Sequence, residues 1–131
     1  MTVAPKVARK MRSLLGTKTS GWDTSGGAVT QATDITTGVT LNARTGQITT
    51  VSSTLGTGAD ATFTVTNNTV GATSVIVVHT ATYGGTADGI PVCNVTAVAA
   101  GSFDVNIRNT GATTLDAVIV LSFMVLGGGI S

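Results

Sequence analysis

Asp60-Ala-Thr-Phe-Thr-Val-Thr-Asn67 decides the fold. Ala61, Phe63 and Val65 alternate with Thr62, Thr64 and Thr66, the period of two that a half-buried strand requires because successive side chains point to opposite faces. A helix would scatter the same residues around its circumference. Phe103-Asp-Val-Asn-Ile-Arg-Asn109 repeats the pattern, with Phe103, Val105 and Ile107 facing inward. Working outward, further strands are expected at Ala28–Thr33, Val39–Asn42, Gln47–Val51, Ser74–Thr82, Pro91–Ala99 and Asp116–Leu126. Eight short strands separated by Gly, Asn and Ala-Thr turns predict an all-β fold, an antiparallel β-sandwich that can take a jelly-roll form.

Composition agrees. Of 131 residues 10% are charged, none is Glu, 26 are Thr and 17 are Gly, a mixture that disfavours helix and favours strands joined by tight turns. The length suits one domain with a modest core. The apolar run Ala117–Leu126 is ten residues long and includes Ser122, about half of what a membrane-spanning helix needs. It reads as a buried strand.

The pattern Phe-x-Val-x5-Gly-Ala-Thr occurs at Phe63–Thr73 and again, forty residues later, at Phe103–Thr113. An apolar β run follows each copy, Val75–Val78 and Val118–Leu121. This predicts two equivalent antiparallel hairpins, one in each half of the sandwich, with turns whose Asn and Gly accept left-handed backbone angles.

Charge divides the chain. Residues 1–18 carry Lys6, Arg9, Lys10, Arg12 and Lys18 with no acid, a charge of +5, whereas residues 19–131 carry two Arg and six Asp, a charge of −4. Gly16–Gly27 is rich in Gly, Ser and Thr and reads as a connector. Residues 1–27 are therefore expected to form a basic N-terminal arm, extended or partly helical, and residues 28–131 the sandwich domain. Within the arm Val3, Val7, Met11 and Leu14 fall at spacings of four, four and three, so a helix would gather them on one face. Such a helix is too short to hold itself together in water, so it is expected to order when docked on a partner. Trp22, in the connector, reads as a peg against the body or a neighbour. Only Leu14-Leu15 follows the arm's charges where a signal peptide needs an unbroken apolar stretch, so secretion by that route is not expected.

Residues able to do chemistry are few. His79 is the only histidine and shares a strand face with Val75 and Val77, which reads as a core or subunit-interface histidine; three copies on a symmetry axis could instead gather it around an ion. Cys93, the only cysteine, excludes an intrachain disulfide and reads as a small core residue. Serines and threonines abound, but no Gly-x-Ser-x-Gly elbow occurs. Asp23, Asp34, Asp60, Asp88, Asp104 and Asp116 are scattered singly, with no calcium-loop spacing and no close pair. No catalytic residue, metal ligand or cofactor site is expected. Nucleic-acid binding wants aromatic platforms among basic residues, and the body offers only Arg44 and Arg108.

Thr30-Gln-Ala-Thr-Asp-Ile-Thr-Thr-Gly-Val-Thr-Leu-Asn42, then Thr45-Gly-Gln-Ile-Thr49, Phe63-Thr-Val-Thr-Asn67 and Phe103-Asp-Val-Asn-Ile-Arg-Asn109 together resemble a small Thr/Gly/Ala-rich β-sandwich domain of tailed-phage virion proteins. The resemblance covers about residues 28–126 and leaves the arm outside it. It implies a virion structural role, as capsid decoration or cement protein, head fibre or tail component, usually as a homotrimer, with no catalytic residues to transfer.

The expectation is therefore a non-enzymatic capsid decoration protein that caps capsomer junctions. Its arm residues Lys6, Arg9, Lys10, Arg12, Lys18 and Trp22 would grip the major capsid protein or another virion protein, with neither membrane nor nucleic acid as partner. His79 is the candidate at a subunit interface. The alternatives are a tail-fibre, tail-tip or baseplate component, or a non-viral carbohydrate-binding or adhesion module. A tail fibre or tail tip that binds host glycans would favour exposed loop aromatics, for which only Tyr83 in Tyr83-Gly-Gly-Thr-Ala-Asp-Gly89 qualifies.

Overall fold

The computed structural model describes residues 26–127. The arm residues Lys6, Arg9, Lys10, Arg12 and Lys18, together with Trp22 and Asp23, lie outside the described residues, as do Gly128 and Gly129. The described chain contains eight strands and no helix: β1 (Gly27–Thr30), β2 (Val39–Thr40), β3 (Thr45–Thr49), β4 (Asp60–Thr66), β5 (Val75–Tyr83), β6 (Pro91–Ala99), β7 (Ser102–Asn109) and β8 (Ile119–Leu126). Each falls within or beside one of the eight segments that alternation marks. They form two four-stranded sheets, ordered β1-β3-β8-β5 and β2-β4-β7-β6, packed face to face as a β-sandwich.

The central pairings β3–β8, β5–β8, β4–β7 and β6–β7 are antiparallel. At two edges β1 runs parallel to β3, and β2 runs parallel to β4, so both sheets are mixed. The middle strands β8 and β7 supply alternate inward residues from both layers. Ile119, Leu121, Phe123 and Val125 come from β8, and Phe103, Val105 and Ile107 from β7. Phe103 and Phe123 meet across the layers with ring centroids 5.5 Å apart and planes tilted by 57°, an edge-to-face type of contact that adds to the burial of both rings. Ile48, Phe63, Val65 and Leu115 complete the centre.

Every connection along the chain crosses from one sheet to the other except β6–β7. That single hairpin turns through Ala100-Gly101, pairing Ala99 with Ser102. Gly101 has φ 87° there, a left-handed angle that glycine adopts without steric penalty.

The repeated Phe-x-Val motif therefore does not build hairpins. After β4 the chain passes to the other sheet, and it does so again after β7. The physical reason lies in what the connections bury. Val70 leaves the first and Leu115 the second to enter the core between the layers, which a tight hairpin turn within one sheet could not achieve. The two copies are equivalent as arches that close the sandwich. The expectation of left-handed Asn also fails, because among the described residues only Gly58 and Gly101 have positive φ.

Asn67 and Asn109 turn the chain with their side chains instead. Asn67 Oδ1 accepts from Thr69 N at 2.9 Å and Thr69 Oγ1 at 2.7 Å, while its Nδ2 donates to Ala43 O at 2.6 Å. Asn109 Oδ1 accepts from Gly111 N and Ile90 N, and its Nδ2 donates to Leu55 O and Thr113 O. These are Asx turns, in which a side-chain oxygen takes the place of a backbone carbonyl.

Candidate interaction surface

The two outer faces of the sandwich differ in chemistry. On the sheet of β2, β4, β7 and β6, the outward residues of β4 and β7 are polar and bonded to one another. Asn106 Nδ2 donates to Asp60 Oδ2 at 2.6 Å and to Thr62 Oγ1 at 3.0 Å, and Thr64 Oγ1 donates to Asp104 Oδ1 at 2.6 Å. Cross-strand pairs of this kind stabilise a solvated sheet face.

The outer face of the other sheet is aliphatic where β5 lies against β8. Val75 stands opposite Leu126 and Val77 opposite Met124. Val75 is 59% exposed and Val77 46%. Val120 continues the stripe along β8, and Val118, 45% exposed, stands just before that strand. Toward β1 the face turns polar, through Thr45, Gln47 and Thr49 on β3. Gln47 Nε2 and Ser122 Oγ are 3.5 Å apart. None of the outward residues of β1, β3, β5 and β8 is an acid, Lys or Arg.

His79 belongs to this face. It does share a side of β5 with Val75 and Val77, but that side points out of the sandwich, so the core reading of His79 is wrong. The inward positions of β5 are Ile76, Val78 and Thr80. Alternation places residues on one face but cannot say which face is buried. That depends on the neighbouring layer, and here β5 is an edge strand. His79 pairs with Ser122 across the strands. Together with Val77, Phe123 and Met124 these two line a shallow depression.

Cys93 is buried on β6, its Sγ 3.6 Å from Thr80 Oγ1. Burial pushes its thiol pKa up, against a smaller opposing effect of the Thr80 hydrogen bond. A thiol held in its neutral form is a poor nucleophile.

Tyr83 is tied down. Its hydroxyl donates to Asp116 Oδ1 at 3.1 Å and accepts from Asp116 N at 3.1 Å, and Asp116 Oδ1 also accepts from Thr86 N at 2.8 Å. Tyr83, at the end of β5, is thus half-buried and serves to pin the 84–90 loop rather than standing free to stack on a sugar. Asp34 caps its own turn, accepting from the hydroxyl and amide of Thr36 at 2.6 and 2.8 Å. Those bonds, the hydroxyl's foremost, hold its carboxyl below the usual aspartate range. Among the described residues no three His, Cys, Asp or Glu side chains gather as metal ligands would, and every buried side-chain polar atom has a hydrogen-bond partner.

No family model matches the chain, and neither a curated protein nor a solved structure matches it.

Proposed function

We propose that this chain is a virion structural subunit, a capsid decoration or cement protein whose sandwich caps junctions between capsomers. One observation carries the reading. The polar side chains of the body are spent on holding it together, in the Asn67 and Asn109 turns, the Tyr83–Asp116 tether and the Asp60–Asn106 and Thr64–Asp104 ladders. Its β5–β8 outer face, by contrast, is largely aliphatic and carries no Asp, Lys or Arg. That is the equipment of a building block rather than of an enzyme, since catalysis needs titratable groups aimed at a common point. The resemblance of residues 28–126 to phage virion domains directs this reading toward a particle. The +5 charge of residues 1–18 against a body of opposite sign supplies a means of gripping an acidic shell.

The tether on Tyr83 weighs against a sugar-binding tail tip. The test is mass spectrometry and immuno-electron microscopy of purified particles from cells that express the chain. Label on the shell supports decoration, label on the tail alone moves the chain to that organelle, and a chain found in no particle ends the virion reading. Deleting residues 1–18 is expected to abolish loading onto particles while leaving the sandwich folded.

A further inference from the structure

We infer that the outer face of β5 and β8 docks against the same face of a second copy of this chain. The inference rests on the building-block reading above and names the partner of that surface. Of the two outer sheet faces it is the one with no Asp, Lys or Arg, so two copies can approach with little like-charge repulsion. It also follows the usual anatomy of an interface, an apolar centre with a polar rim. Val75, Val77, Met124 and Leu126 form the aliphatic block, and the threonines of β3 with Gln47 form the rim on one side. His79 and Ser122 add a polar pair beside that block, one of the few hydrogen-bonding points at which register between copies could be set.

Size and charge select this occupant. Strands of four, five, eight and nine residues, at roughly 3.3 Å per residue and about 4.8 Å apart, give a face of about 400 Å² in plan. Side-chain relief raises its accessible area toward the roughly 600 Å² per partner at the lower end of stable interfaces. This face offers the basic residues 1–18 nothing to bind, because the described carboxylates all lie on the opposite sheet or on loops: Asp34, Asp60, Asp88, Asp104 and Asp116. Same-face contact is isologous, so it closes on itself as a twofold dimer instead of growing into a fibre.

The test is the mass of the full chain in solution by light scattering and sedimentation, compared with Val77→Asp on this face and Thr62→Asp on the other. The wild type and Thr62→Asp are expected to form the same closed oligomer. Val77→Asp should remain folded by circular dichroism and raise the dissociation constant by at least about 100-fold, since it leaves an unpaired charge in an apolar contact. Should the aspartate prevent folding, Val77→Thr keeps the shape and strand propensity and is expected to weaken association about tenfold. A monomeric wild type overturns the inference, as does a Val77→Asp chain that assembles like wild type. So does an oligomer lost on deleting residues 1–18, which would hand the contact to the arm. An oligomer found in no particle sinks the virion reading and leaves this interface standing, whereas a particle-borne chain that is monomeric when released does the reverse.

Discussion

Asn67 and Asn109 plug opposite ends of the same sheet. One follows β4 and the other ends β7, and those strands run antiparallel, with Asp60 opposite Arg108 and Thr66 opposite Ser102. Both asparagines are fully buried. Asn109 uses its whole hydrogen-bonding capacity, two donors and two acceptor sites. Its four partners are backbone groups from three separate connections.

Asn109→Ala is therefore expected to destabilise by about 3 kcal/mol or more, because it orphans Leu55 O, Thr113 O, Gly111 N and Ile90 N around a buried site. Asn67→Ala should cost less, about 1–3 kcal/mol, having fewer dependants. Urea denaturation followed by fluorescence or circular dichroism gives both numbers. Equal, negligible losses would show that water replaces these bonds.

Phe103→Ala should cost about 3–5 kcal/mol, as it opens a cavity where the two layers meet at the Phe123 ring. Phe103→Leu, closer in volume, should recover much of that in the same denaturation experiment.

Gly111→Ala is expected to be poorly tolerated although Gly111 has an ordinary φ. A methyl group there would run into the backbone of Asp88 and Ile90, and backbone cannot rotate aside as a side chain can. Gly56→Ala, where nothing lies near the added carbon, is the matched control, and the thermal midpoints of the two should differ clearly.

Cys93 should react slowly with a disulfide reagent at neutral pH in the folded protein and quickly after unfolding, since burial raises its pKa and screens the sulfur. Rapid reaction of the native protein would mean that β6 opens locally.

The Asp34 carboxyl should titrate below the usual aspartate midpoint in an NMR pH series. Its folded pKa is depressed, so any stability it lends is present above the unfolded value and lost as pH falls through the folded one. Asp34→Asn should remove that acid-side dependence. Separately, Arg44 and Arg108 should resist brief trypsin digestion, Arg108 because β7 is paired on both sides.

All eight strands were legible in the chain because alternation is a local signal, and Phe63, Phe103 and Phe123 could be placed in the core from strand position alone. Pairing was not legible. Whether β4 returns beside itself or crosses to the other layer depends on where Val70 finds apolar company, a relationship between distant parts of the chain. The same limit misplaced His79, since a period of two yields two faces without naming the buried one. The aliphatic face was half visible. Val75 and Val77 could be grouped with His79, but only the register of β5 on β8 brings Met124 and Leu126 to meet them. The Asn67 and Asn109 bonds left no advance sign beyond the asparagines themselves.

The crossing of six of the seven connections between sheets has a mechanical meaning. The layers are laced together by the covalent chain, like the two sides of a shoe, so they cannot delaminate by losing side-chain contacts alone. A pull that tries to peel one sheet from the other is carried by peptide bonds at both ends of the molecule. Neither layer can be excised or pre-formed without the other, so the body should yield as one unit or not at all.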